Sequence, residues 1–105
     1  MMALLLMVAS QSYTFTILGE GTMSCGEWTE RRQSENHRVL PESAWVLGYV
    51  TAMARVESAR TGRKIASGIE GKGVEHWIDN YCSTHPLDDI ASASEALVSE
   101  LISRR

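Results

Sequence analysis

Residues 74–82 read VEHWIDNYC, and this stretch decides the predicted fold. Its apolar residues recur at steps of three and four, which is the spacing of one buried helix face. They are Val74, Trp77, Ile78, Tyr81 and Cys82. We therefore expect a helix over about 72–83 that packs into a core, with Cys82 facing inward.

The chain contains two cysteines, Cys25 and Cys82, whose roles must be weighed together. Zinc would need His76 and His85 as further ligands, and the spacing of these residues matches no standard zinc site. A catalytic pair of Cys82 with His85 would need an exposed thiol, whereas the apolar stripe places Cys82 in the core. The residues favour a Cys25–Cys82 disulfide, with no metal, no cofactor and no catalytic residue.

Two more helices are expected before residue 72. Ser24 and Glu27 have the spacing of a capping box, so the first helix should begin at Ser24. Pro41 suits the first turn of a second helix, which should run to about Arg60.

This second helix is apolar around much of its circumference, which predicts the central position among the helices. Its main stripe and the residues that widen it are Trp45, Tyr49, Met53 and Val56, with Ala44, Leu47, Val50 and Ala54. Gly48 lies within this sector and should allow the close approach of a neighbouring helix.

A last helix should follow Pro86. Asp88 and Asp89 carry negative charge where a helix N-terminus favours it, and Arg104 and Arg105 carry positive charge at the other end. Its apolar stripe comprises Leu87, Ile90, Ala91, Leu97, Val98 and Leu101. The prediction is an all-α fold, a small four-helix orthogonal bundle with one disulfide.

The N-terminal residues predict a leader followed by an extended arm. Residues 1–9 form an uncharged apolar run, too short for a membrane span of about 20 residues but typical of a signal-peptide core. We expect residues 1–14 to be a signal peptide or apolar leader and residues 15–105 to form a single helical domain. The alternative is that this apolar N-terminal run is retained as an arm that packs on the domain. A periplasmic or secreted location agrees with a stable disulfide.

The net charge and the tryptophans of the chain indicate which class of molecule it binds. With 13 acidic and 10 basic residues the chain has a net charge of −3, which argues against a nucleic-acid partner. We expect a protein partner, with a homodimer as an open possibility and no membrane contact after processing. Trp28, Trp45 and Trp77 should pack in the core, and one that is exposed would be a partner-binding anchor. We choose Trp28, which lies on the shortest helix.

Several segments resemble a group of small exported proteobacterial proteins of unknown function. They are SCGEW at 24–28, WVLGYV at 45–50, WIDNYC at 77–82 and HPL at 85–87. The resemblance spans about Cys25 to Leu101 and implies a helical fold in an exported protein.

Two more distant resemblances point to functions. Gly-Tyr-Val at 48–50, the later cysteine and His85-Pro86 resemble the Rap/Tai family of type VI secretion immunity proteins. Members of that family are periplasmic helical proteins that plug the cleft of a toxin that cuts the cell wall. One disulfide in a small helical exported chain is similar to HdeA-type acid chaperones. These resemblances imply a non-catalytic immunity-type inhibitor or an acid-stress chaperone, and a small thiol enzyme is the remaining alternative.

Overall fold

The computed structural model describes residues 14–34 and 40–104. Its elements are a short 3-10 helix (Gly19–Thr22), α1 (Cys25–Ser34), α2 (Pro41–Thr61), α3 (Gly71–Thr84) and α4 (Ile90–Ser103). Within these ranges there is no β-strand, only an isolated bridge between Ser24 and Asp89. The predicted all-α class with four helices is confirmed. Residues 1–13 of the predicted leader and Arg105 lie outside the described residues.

α1 and α2 begin at the residues that the sequence marks as starts, whereas α4 begins at Ile90, after the predicted stripe residue Leu87. Ser24 Oγ accepts the backbone N–H of Glu27 at 3.1 Å, and Pro41 is the first residue of α2. Asp89 caps α4, where its carboxylate accepts the backbone N–H of Ser92 at 2.8 Å. Capping satisfies backbone donors that the first turn leaves unpaired. None of the helices in the described part of the chain is long and apolar enough to cross a membrane.

The predicted disulfide joins Cys25, at the start of α1, to Cys82, near the end of α3. Both residues are buried, and their Cα atoms lie 4.7 Å apart. Backbone hydrogen bonds surround the bridge: Cys25 N–H donates to Asp88 O at 2.7 Å, and Gly26 N–H donates to Pro86 O at 3.1 Å. The start of α1 is therefore fastened both to α3 and to the turn before α4.

The central helix is α4, not α2 as the sequence predicted. The residues that α4 buries are Ile90, Ala91, Ala93, Ser94, Leu97, Val98 and Leu101. By contrast, α2 buries only Glu42, Ser43, Val46 and Val50. The α4 stripe is thus as predicted except for Leu87, which lies in the preceding turn and is exposed.

The apolar stripe predicted for α2 packs against the core through Trp45, Tyr49 and Met53, but these residues are only half-buried. Val46 and Val50 face the core, whereas Trp45 is half-buried and Val56 is 56% exposed. A Cβ atom at Gly48 would meet nothing within 4 Å, so the predicted close neighbour is absent there. Both sectors of α2 are apolar, and periodicity alone does not say which one the other helices cover.

A polar cluster also joins α1 to α3, and we call Trp28, Arg32, Glu75 and Asp79 the Asp79 cluster. The Asp79 carboxylate accepts Trp28 Nε1–H at 2.7 Å and two N–H groups of Arg32 at 2.9 Å each. Arg32 donates a further hydrogen bond to Glu75 at 2.8 Å, and its guanidinium lies 5.6 Å from the centroid of the Trp28 ring. These charge-assisted contacts fix the pairing of the two helices.

The pKa of Asp79 reflects this surrounding. Burial by itself would raise the pKa of this carboxyl group. The hydrogen bonds from Arg32 and Trp28, together with charge interactions with Arg32 and His76, outweigh burial. The pKa of Asp79 therefore lies below its usual value, and the ionised form is the one that stabilises the fold.

Cys25→Ser or Cys82→Ser should lower the free energy of unfolding by about 4 kcal/mol, because the bridge closes a long loop of the unfolded chain. The bridged residues are 57 positions apart. The double variant should lose about as much as either single variant, since the second substitution removes nothing further. Thermal unfolding with and without reductant measures this. Additive losses, or a wild-type midpoint that reductant leaves unchanged, would contradict the prediction.

Asp79→Asn should lower the free energy of unfolding at neutral pH by about 1 to 2 kcal/mol, because an amide replaces a charge-assisted acceptor in a partly exposed pair. Folding lowers the pKa of Asp79. Its stabilising effect is therefore complete above the ordinary carboxyl pKa of about 4 and is lost as the pH falls through the folded-state value. Urea unfolding from neutral to acidic pH should show the two stabilities converging in acid.

The control for this pH series is Glu30→Gln, since Glu30 is an exposed carboxylate on the same helix α1. Its stability should follow that of the wild type throughout. A difference between Asp79→Asn and wild type that stays constant at every pH would show that the ionisation of Asp79 does not stabilise the fold.

Candidate functional site

An open apolar groove lies between the N-terminal arm, residues 14–18, and a face of α2 that is half-buried against the core. We call it the arm groove, and its lining consists of residues 15–18, 44, 45, 48, 49, 53, 91 and 95. Its volume is about 700 Å³. This lies within the range of about 300–1,000 Å³ that is usual for ligand-binding clefts.

The arm is held against α2 by Trp45. The indole Nε1–H of Trp45 donates to the backbone carbonyl of Leu18 at 2.6 Å. Gly19 turns the chain there with a left-handed backbone (φ 78°). Gly21 lies so close to the indole that a Cβ atom would overlap both Trp45 and Ile17. The arm and the indole therefore form one continuous wall of the groove.

The α2 wall of the groove is aromatic and half-buried. The rings of Trp45 and Tyr49 stack with their centroids 5.5 Å apart and their planes 10° apart, and Met53 continues the row one turn later. On the arm, Phe15 is 60% exposed and Leu18 is 77% exposed. A contiguous exposed apolar surface of this kind marks interaction sites in proteins.

Glu95 is the one charged residue among the described residues that line the groove. It lies on α4, is exposed, and makes no ion pair with any described residue. A solvated carboxylate at the margin of an apolar surface attracts cationic groups and repels anionic ones.

The prediction that Trp28 is an exposed partner anchor needs correction. Trp28 has 0% of its surface exposed, and its indole N–H is bonded to Asp79. Although α1 is short, the disulfide and the Asp79 cluster hold it flat against α3, which covers its inner face. The tryptophan that borders the groove is Trp45, which also packs against the core, as the sequence predicted, but is only half-buried.

The residues considered for thiol or metal chemistry do not form a site. Cys25 and Cys82 are joined, so neither sulfur is a thiol. The ring of His85 stacks on Tyr81, with centroids 4.0 Å apart, and His76 is exposed with its Nδ1 3.9 Å from Asp79. In residues 14–34 and 40–104, no group of three or more His, Cys, Asp or Glu side chains could hold a metal ion.

Two other charged contacts link structural elements instead of opening into the groove. Glu42 is buried and accepts a hydrogen bond from Arg31 Nε at 2.6 Å, which ties α2 to α1. The hydroxyl of Tyr81 donates to Asp88 at 2.6 Å. That hydrogen bond, followed by burial and by the negative charges of Asp88 and Asp89, raises the pKa of Tyr81 to about 12. The phenol is therefore neutral and serves as a donor.

No protein-family model, curated protein or solved structure matches this chain. The groove and the chemistry of its lining are therefore the features of the molecule that bear on function.

Two glycine substitutions test the shape of the groove. Gly48→Ala should raise the free energy of unfolding by about 0.5 to 1 kcal/mol, because alanine favours the helix and position 48 is open. Gly21→Ala should lower it by about 1 to 3 kcal/mol, since the added methyl group overlaps the Trp45 ring. Urea unfolding followed by circular dichroism measures both. A destabilised Gly48→Ala protein would contradict an open groove at that position.

Proposed function

We propose that this protein is an exported, non-catalytic protein-binding protein whose arm groove receives an apolar segment of its partner. The observation that carries the proposal is the row of aromatic and apolar side chains along the groove, which are exposed on the arm and half-buried on α2. Aromatic residues at a partly open surface are the residue types that supply most of the binding energy in protein interfaces. The resemblance to Rap/Tai proteins favours an immunity-type inhibitor of a secreted toxin within this class.

The non-catalytic part of the proposal is supported by the state of the reactive side chains. Both cysteines are joined in the disulfide and offer no free thiol. Neither His76 nor His85 is among the residues that line the groove. What lines the groove is apolar apart from Thr16, Tyr49 and Glu95. Such a lining supplies contact area and orientation but offers no pair of nucleophile and base.

Export is supported by the role of the disulfide in so small a core. A buried disulfide that fastens the first helix to the third is stable where thiols are kept oxidised, as in the periplasm or outside the cell. The cytoplasm would keep Cys25 and Cys82 reduced and would remove this fastening. The proposed working location is therefore the periplasm or the exterior.

The proposal is tested by cross-linking from inside the groove. A photoreactive p-benzoylphenylalanine is placed at position 48, which is open, and in a second protein at Gly73, an exposed glycine of α3 that also has nothing within 4 Å of its Cβ position. Each protein is produced in the native cell and irradiated there. A specific adduct from position 48 alone is expected, and its partner is identified by mass spectrometry. Equal adducts from both positions would contradict the proposal.

The identified partner is then purified and its affinity is measured directly. Gly48→Trp fills the groove and should weaken binding by about tenfold or more, which corresponds to about 1.4 kcal/mol. Gly73→Trp adds the same side chain outside the groove and should change affinity by less than about twofold. Wild-type affinity in Gly48→Trp would show that the groove is not the binding surface.

A second candidate function, an HdeA-like acid-stress chaperone, is favoured by the Asp79 cluster. Protonation of Asp79 would release α1 from α3, while the disulfide would keep the two helices tethered. The apolar face that contains Trp28 would then be available to unfolding clients. This candidate predicts loss of the near-UV circular dichroism signal and suppression of client aggregation near pH 2 to 3. A native near-UV signal at that pH without such suppression would exclude it.

A further inference from the structure

The face of α2 that lines the arm groove has the ridge and furrow of a helix-packing surface. Trp45, Tyr49 and Met53 follow one another at i, i+4 and i+8 and form a ridge, which extends over about 12 Å at 1.5 Å per residue. Beside this ridge runs a furrow of small, exposed residues with the same spacing, Ala44, Gly48 and Ala52. A furrow of this kind between large side chains accepts the ridge of another helix.

The length of the ridge matches the repeat of an amphipathic helix. Apolar anchors at i, i+3 or i+4, and i+7 span about 10.5 Å, close to the distance along α2 from Trp45 to Met53. The 3-10 helix covers part of Trp45 through Gly21, whereas Ala44, Gly48 and Ala52 on this face are exposed. The arm already provides an extended segment on one side, and the remaining space borders α4 at Ala91 and Glu95.

The negative charge of Glu95 distinguishes between three possible ligands of the groove: a lipid, a second copy of this chain and a basic partner protein. Glu95 would repel the carboxylate of a fatty acid and would attract a lysine or arginine of a partner. A second copy of this chain packed symmetrically on this face would bring a second Glu95 into the same interface, and the chain itself has a net charge of −3. Both points favour a basic partner over a lipid or a homodimer.

We propose that the arm groove binds a basic amphipathic helix of the partner protein. The apolar anchors of that helix lie in the furrow beside Trp45 and Tyr49, and a lysine or arginine next to them pairs with Glu95. This inference rests on the proposed protein-binding function and specifies the partner element that this same groove recognises.

The test uses two synthetic helical peptides with the same leucine pattern, one carrying lysines and the other glutamates on the polar face. Isothermal titration calorimetry at low ionic strength should show binding of the leucine–lysine peptide and affinity for the leucine–glutamate peptide that is weaker by about tenfold or more. Glu95→Gln should weaken binding of the leucine–lysine peptide by about three- to fivefold, the size expected for an exposed ion pair.

Glu30→Gln is the matched control, because it removes one exposed carboxylate of α1 that is not among the residues lining the groove. It should change peptide affinity by less than about twofold. Equal effects of Glu95→Gln and Glu30→Gln would show a non-specific charge effect and would overturn the inference. Gly48→Trp should abolish peptide binding while Gly73→Trp preserves it, which separates the groove from the rest of the acidic surface.

Three further results would overturn the inference. Palmitate that binds more tightly than the leucine–lysine peptide, with loss in Gly48→Trp, would identify a lipid as the occupant. Sedimentation that shows a dimer dispersed by Gly48→Trp would identify a second copy. A natural partner whose affinity falls in Gly48→Trp but is unchanged in Glu95→Gln would support the protein-binding function and reject the basic helix. Loss of the position-48 effect itself would instead reject the proposed function.

Discussion

The Cys25–Cys82 disulfide lies between the first turn of α1 and the last turn of α3, and both sulfurs are buried. A domain of this size buries a modest share of its surface, so its apolar core leaves little margin over chain entropy. The bridge reduces the entropy of the unfolded chain and places a short helix that has few apolar contacts of its own. The backbone bonds from Cys25 and Gly26 to the turn before α4 are possible only with that placement.

The Asp79 cluster works together with the bridge at the other end of α1. Trp28 and Arg32 lie one and two turns after Cys25, and both donate to Asp79, which lies one turn before Cys82. The covalent contact fixes one end of the α1–α3 pair and the polar contact fixes the next turns. Because the indole N–H of Trp28 finds a carboxylate, the whole ring can be buried without leaving a donor unpaired.

The arm groove is a consequence of where α4 lies. Since α4 fills the centre of the fold, α2 buries Val46 and Val50 fully, while the sector with Trp45 and Tyr49 is half-buried against the core and borders the arm. The arm covers part of this sector, held by the hydrogen bond from Trp45 to Leu18. The rest stays open, with the Glu95 carboxylate as its one charged margin among the described residues.

The sequence by itself determined those features that depend on local spacing. The stripe from Val74 to Cys82 specified α3 and the inward direction of Cys82, while Ser24 and Pro41 specified where α1 and α2 begin. Two cysteines in a small helical chain were enough to predict their pairing. These features are local because hydrogen bonds of caps, helical periodicity and the fixed φ of proline involve residues a few positions apart.

Only the tertiary structure decided which apolar surfaces are covered. Trp28 and Trp45 both lie on helical faces with apolar neighbours, yet Trp28 is buried by α3 and Asp79 whereas Trp45 borders an open groove. On α2 the sequence could not choose between the sector of Val46 and Val50 and the sector of Trp45 and Tyr49. Burial is a property of how helices are arranged in space, and that arrangement depends on contacts between residues distant in the chain, such as Cys25 with Cys82 and Arg32 with Asp79.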